Sequence, residues 1–263
     1  MKRIILLFIS VLTIGLSTTQ AQENPRLKLY EKAVFKSKNG SLPYRILMPQ
    51  NYNPNVQYPL VIFLHGSGER GTDNALQLKH GGELFVRDSV RAKYPAFVVF
   101  PQCAPDRTWS EMNYNPESKE NRFTFSNKIE ESKEQELLEE LITYLQKNLS
   151  IRKSKIYIGG LSLGGIGTFE LVRRNPKLFA AAFPICGAAD PSIAKKLKHT
   201  NWWIFHGEDD DVVYAKYSID MNEALTKVKA SVKLSIYPEV MHDSWTNTFA
   251  EPTLLSWLFS QQL

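Results

Sequence analysis

Along most of this chain the apolar residues fall in short unbroken runs. Pro59–Leu64 ends at His65-Gly66, and Ala96–Phe100 ends at Pro101. Lys155–Ile158 ends at Gly159-Gly160, and Phe179–Ile185 ends at Cys186-Gly187. Trp202–Phe205 ends at His206-Gly207, and Val232–Tyr237 ends at Pro238. Short runs without alternation predict strands buried on both faces, hence a parallel sheet covered by helices. Leu29–Ser37 and Leu42–Pro49 behave differently. They alternate, and Asn39-Gly40 between them predicts a hairpin turn.

Helical spacing appears between the runs. Leu137, Leu138, Leu141, Ile142, Leu145 and Leu149 form one apolar stripe. Leu163–Arg174 stops at Asn175-Pro176, and Tyr214–Val228 and Thr248–Phe259 complete the predicted helices. Strand and helix in alternation predict an α/β doubly wound fold, with sites beyond the carboxyl ends of the strands. From Cys103 to about Asn127 the chain is polar, turn-rich and aperiodic, which predicts a binding loop or lid.

Residues 1–21 read as something other than fold. Met1-Lys2-Arg3 is a basic head, Ile4–Leu16 is largely apolar, and Thr19-Gln20-Ala21 is a small-x-small cleavage pattern. This predicts a cleavable signal peptide, export to the periplasm or the extracellular space, and a single catalytic domain over residues 22–263. The apolar stretch is shorter than the roughly 20 residues of a spanning helix, so no membrane anchor is expected. With 263 residues, 43% of them hydrophobic, the chain is long enough for a full core without staples. The net charge of +5 is scattered, with no Lys/Arg run longer than two residues, which argues against a nucleic-acid surface. His65, His80, His199, His206 and His242 lack metal-ligand spacing, so neither metal nor cofactor is expected.

The chemistry concentrates at the strand ends. Gly160-Leu161-Ser162-Leu163-Gly164 follows a strand and opens a helix, the setting of a nucleophile elbow. Small residues must flank a serine on so sharp a turn, and the helix N-terminus behind it offers a free N–H and a positive dipole end. His65-Gly66-Ser67-Gly68 is the second turn needed, so the N–H groups of Leu163 and Ser67 are the candidate oxyanion hole. Glu69 and Arg70 read as a solvated ion pair. Asp209, Asp210 and Asp211 offer an acid after one strand, and His242 offers a base after the last. The order Ser162, Asp, His242 is that of α/β-hydrolases. His206, beside the acids, is the rival base and reads as structural.

Together these segments resemble the secreted esterase branch of the α/β-hydrolase superfamily: dienelactone-hydrolase-like, phospholipase/carboxylesterase-type and polyhydroxybutyrate-depolymerase-like enzymes, with feruloyl and acetylxylan esterases. Some relatives are labelled predicted peptidases of prolyl-oligopeptidase type. The likeness covers roughly residues 40–260. It is carried by Leu64–Gly71, Pro101-Gln102-Cys103 with Trp109, Gly160–Gly165, Phe205–Asp210 and His242–Trp245. The resemblance implies an α/β-hydrolase fold with an N-terminal antiparallel hairpin. It places the acid four residues after the His of the His-Gly pair, at Asp210. Tyr214 stands where relatives often have Pro. Trp245, three residues after His242, also matches.

The expected activity is hydrolysis of carboxylic esters, small or polysaccharide-linked, by Ser162, His242 and Asp210 through an acyl-enzyme. A prolyl-oligopeptidase-type serine peptidase is the alternative, and a non-catalytic binding protein on a hydrolase scaffold is a further one. Trp109 is expected to line the substrate pocket, with Trp245 as a second contact. The strand order usual for this fold puts three strand spacings between Cys103 and Cys186, too far for a disulfide, so both are expected to be free.

Overall fold

The computed structural model describes residues 24–118, 122–125 and 132–263. The signal-peptide reading, residues 1–21, lies outside them, as do parts of the 103–127 loop.

An antiparallel hairpin opens the chain, β1 (Tyr30–Ser37) and β2 (Gly40–Leu47). Its turn is Lys38-Asn39, one residue earlier than predicted, because Gly40 already pairs with Ser37. The Asn39 amide nitrogen reaches across to Glu140 at 2.8 Å, which ties the turn to a helix. The remaining sheet strands are β3 (Tyr58–Leu64), β4 (Phe97–Pro101), β7 (Ile151–Leu161), β8 (Ala181–Ile185), β9 (Asn201–Gly207) and β10 (Val232–Tyr237). The eight strands run β1-β2-β4-β3-β7-β8-β9-β10. β2 is antiparallel to β4, and every pairing beyond it is parallel. The predicted α/β-hydrolase fold with its N-terminal hairpin is therefore the fold observed. β3, β4 and β8 are buried along nearly their whole length, as the unbroken apolar runs require.

Helices cover both faces. α1 (Gly82–Phe85), α2 (Asp88–Lys93), α7 (Trp245–Ala250) and α8 (Leu254–Ser260) are short, as is α5 (Ala194–Leu197). The longer ones are α3 (Lys133–Asn148), α4 (Leu163–Arg174) and α6 (Lys216–Lys227). Ser132 caps α3 by accepting from the Gln135 N–H, and Leu137, Leu138, Leu141, Ile142 and Leu145 bury the predicted stripe. The helix expected over Thr248–Phe259 is two helices. Pro252 disfavours helical geometry at the residue before it, and Glu251 is extended (φ −62°, ψ 113°). The 103–127 segment carries a small antiparallel pair, β5 (Asn113–Tyr114) with β6 (Phe123–Thr124). None of the helices among the described residues is long and apolar enough to cross a membrane.

Cys103 follows β4 and Cys186 follows β8, with β3 and β7 between them, and both are buried and free. Three strand spacings, about 14 Å, separate the two thiols from any disulfide geometry.

Candidate active site

The site forms where β3, β7, β8 and β9 end. β7 turns into α4 at Ser162, which has φ 53° and ψ −116°, a left-handed backbone uncommon for a side chain-bearing residue. The turn closes only because the glycines two residues to either side lack side chains. A Cβ on Gly164 would lie 2.0 Å from the Leu64 carbonyl oxygen, and one on Gly160 would lie 2.3 Å from the Gly164 carbonyl oxygen. The strained serine thus projects over the sheet edge, with α4 behind it.

His242 reaches this serine from the turn after β10. Its Nε2 lies 2.9 Å from Ser162 Oγ, and its Nδ1 lies 2.7 Å from Asp210 Oδ2. A carboxylate only accepts, so Nδ1 carries the proton and Nε2 is left to accept from the hydroxyl. Asp210 is 3% exposed, while its neighbours Asp209 and Asp211 point into solvent. Burial pushes the Asp210 carboxyl up. Hydrogen bonds from His206, His242 and the Val213 N–H, with the charge of His242, outweigh that and hold it well below the usual carboxylate range. Its Oδ1 accepts from the N–H groups of Val212 (3.0 Å) and Val213 (2.9 Å). Ser162 and His242, assigned from chain order, and Asp210, assigned from the family resemblance, are brought together in one hydrogen-bonded line.

The second turn lies alongside. A Cβ on Gly66 would sit 3.6 Å from Ser162 Cβ, so the His65–Ser67 turn borders the nucleophile. Leu163 is the first residue of α4, where an N–H has no intrahelical acceptor. Beneath the turn, His65 is fixed on both nitrogens: Nδ1 lies 2.6 Å from the Gly66 carbonyl, and Nε2 accepts the Cys103 N–H at 2.9 Å. Burial lowers its pKa to about 4.

Two expectations change. Trp109 does not line a pocket: it is fully buried, its indole N–H donates to the His65 carbonyl at 3.0 Å, and its Cβ rests where Gly167 has none. Glu69 and Arg70 are not an ion pair. Glu69 is buried against His80 (3.5 Å) and Lys79 (3.9 Å), whereas Arg70 donates to the carbonyls of Ser67 and Arg107. His206 is structural in position, as expected, but it touches the acid: its Nε2 is 3.2 Å from Asp210 Oδ2. Trp245 is half-buried, with its ring edge-on to His242 at 5.8 Å.

Among the described residues of the 103–127 loop, the β5–β6 pair packs beside the site. Phe123 packs with Ile166, Ala188 and Val213, residues that flank the nucleophile, the Cys186 turn and the acid. Arg122 lies over the Tyr214 ring at 4.5 Å and donates to the carbonyls of Asp211 and Val212.

Among the described residues, Cys186, Asp210 and His242 hold their ligand-type atoms within 4.8 Å of one another. His242 and Asp210 already satisfy each other, and burial followed by the Asp210 charge pushes the Cys186 thiol up. The donors are arranged for proton transfer to and from Ser162.

A parallel sheet with this elbow, acid and base defines an α/β-hydrolase. Residues 53–252 match the phospholipase/carboxylesterase family model, and the chain belongs to that family. A thermostable esterase is similar at 33% identity and a TM-score of 0.80, over 90% of this chain and 64% of that one. The present chain thus spans under two thirds of that esterase's length. A ferulic acid esterase from Anaeromyces mucronatus, solved with ferulic acid, shares the fold at 16% identity and a TM-score of 0.63, over 86% and 89% of the two chains. A putative dipeptidyl aminopeptidase IV from Bacteroides ovatus shares it at 18% identity and a TM-score of 0.65, over 89% of this chain and 36% of that one.

Proposed function

We propose that the protein is an exported serine esterase working through an acyl-enzyme. Ser162 Oγ attacks the ester carbonyl while its proton passes to His242 Nε2. Asp210 keeps the imidazole in the Nδ1–H tautomer and stabilises the imidazolium. The Leu163 and Ser67 N–H groups receive the charge that develops on the carbonyl oxygen. His242 then protonates the departing alcohol, and a water activated by the same nitrogen releases the acid. Phe123 and its hairpin form the acyl-side wall in place of Trp109, and Trp245 borders His242 on the leaving-group side.

The observation that carries this reading is the continuous contact from Ser162 through His242 to Asp210, at 2.9 and 2.7 Å. A fluorophosphonate probe tests it: the wild type should be labelled at Ser162, and Ser162→Ala should not. Hydrolysis of p-nitrophenyl acetate, methyl ferulate, acetylated xylan and aminoacyl-proline amides, measured side by side, sorts substrates. Cleavage of the amide alone would make the protein a peptidase. Binding of esters with no turnover would make it a binding protein. Export predicts a mature N-terminus at Gln22, read by N-terminal sequencing of secreted protein.

A further inference from the structure

The carboxylate of Asp210 serves two histidines. Oδ2 receives His242 Nδ1 at 2.7 Å and His206 Nε2 at 3.2 Å. His206 is completely buried at the end of β9, and its Nε2 also meets the Val213 carbonyl at 2.6 Å. Both partners of Nε2 are acceptors, so this nitrogen carries a proton. Nδ1 is then left to accept the hydroxyl of Ser218, buried on α6, at 2.6 Å. A line of contacts therefore runs from Ser218 through His206, Asp210 and His242 to Ser162.

We propose that His206 is a positioning residue for the acid, holding Asp210 in the orientation that His242 uses. The inference rests on the catalytic reading of Ser162, Asp210 and His242. Its geometry is a closed ring. Val213 gives its N–H to Asp210 Oδ1 and its carbonyl to His206 Nε2, and the same Nε2 stands 3.2 Å from Asp210 Oδ2. The acid and the loop that bears it are thereby locked to β9, the strand that carries His206. The donor also draws on the charge of Oδ2, so it moderates how strongly Asp210 holds the proton of His242. Besides His242 and the N–H groups of Val212 and Val213, the other described groups near the carboxylate do not donate to it. The Cys186 thiol donates toward the His242 carbonyl at 3.8 Å, the charge of Asp243 bears on that thiol, and Asp209 and Asp211 flank the loop in solvent.

The test compares His206→Phe, which keeps the ring but donates nothing, with His206→Gln, whose amide nitrogen can donate from near the Nε2 position. His206→Phe should lower kcat about tenfold, the scale of one lost charge-assisted hydrogen bond, with KM unchanged. The acidic limb of its kcat/KM profile should move to higher pH by about half a unit, because Asp210, still bonded through Oδ1 but no longer steadied at Oδ2 by His206, is left more basic. His206→Gln should recover most of both losses. If His206→Phe does not fold, Ser218→Ala reads the same line from its far end, and the same limb should move in the same direction. A folded His206→Phe with wild-type kcat and limb overturns the proposal, as does a His206→Gln no better than it, or a Ser218→Ala with an unmoved limb. Ser162→Ala serves as the control. Full activity there overturns the triad reading itself, whereas an inactive Ser162→Ala beside an unaffected His206→Phe overturns the positioning role alone.

Discussion

Trp109 and His65 are joined by a buried hydrogen bond, indole N–H to backbone carbonyl at 3.0 Å. The tryptophan thus fastens the start of the long loop to the turn beside Ser162. Trp109→Phe strands a buried carbonyl, at a cost of about 1–3 kcal/mol in chemical denaturation. The ranking of ester substrates should not change. A changed ranking with unchanged stability would return Trp109 to the pocket. Gly167→Ala should be at least as damaging, since its Cβ would lie 2.4 Å from Trp109 Cβ.

Asp210→Asn should lower kcat by about four orders of magnitude, as loss of the orienting acid does in other triads. Asp209→Asn and Asp211→Asn, both in solvent, should stay near wild type. Ser162→Ala with His242→Ala should be hardly worse than either alone, because the residues act as a unit. Steady-state kinetics on one activated ester checks all six variants.

His65 gives the fold a weakness toward acid. Its native pKa is lowered to about 4 by burial, against about 6.5 in the unfolded chain. Between these values the unfolded chain binds the extra proton, so stability falls as the pH drops from about 6.5 toward 4 and is fully present above that window. Roughly 2 kcal/mol should be lost between pH 7.5 and pH 5. Urea unfolding of the wild type and of His65→Gln at the two pH values measures it, and the variant should show a smaller drop.

Both thiols should be inert in the native protein, because burial pushes Cys103 and Cys186 up and the thiolate is the reactive form. Unreduced denatured protein should then titrate as two thiols. A titre of none would mean that the loop crosses the sheet and bridges them.

Arg122 and Tyr214 pin the β5–β6 hairpin at 4.5 Å, cation over ring. Tyr214→Phe should leave selectivity alone. Arg122→Ala should change the ratio of kcat/KM between methyl ferulate and p-nitrophenyl acetate by more than any fall in melting temperature accounts for. An unaltered ratio would remove the hairpin from the acyl pocket.

The sheet was legible because parallel strands buried on both faces write themselves as unbroken apolar runs, as at Leu60–Leu64 and Phe97–Phe100. Ser162, His242 and the aspartate cluster were legible because each follows such a run, in the order a hydrolase uses, and the family resemblance chose Asp210 within the cluster. The failures share a cause. Whether Trp109 faces outward depends on the bare Gly167 beneath it, and whether Glu69 meets Arg70 or His80 depends on how one turn folds onto another. Neither relation is periodic along the chain. The split of the last helix was visible in Pro252, but apolar spacing outweighed it. The two-residue strands β5 and β6 are too short to leave a pattern.

Val213 brings three of these threads to one residue. Its N–H steadies the acid, its carbonyl engages His206, and its side chain packs beneath Phe123 of the hairpin. In evolutionary terms, substrate range and chemistry are epistatic here. Substitutions that reshape the hairpin core are felt at Asp210 through a shared backbone, so a library that randomises Phe123 and Val213 together will contain far fewer active members than libraries of either alone. A route to new ester preferences is more open at the solvent side of the hairpin, around Tyr114, which is 56% exposed and meets that cluster at the Phe123 ring, 5.1 Å away.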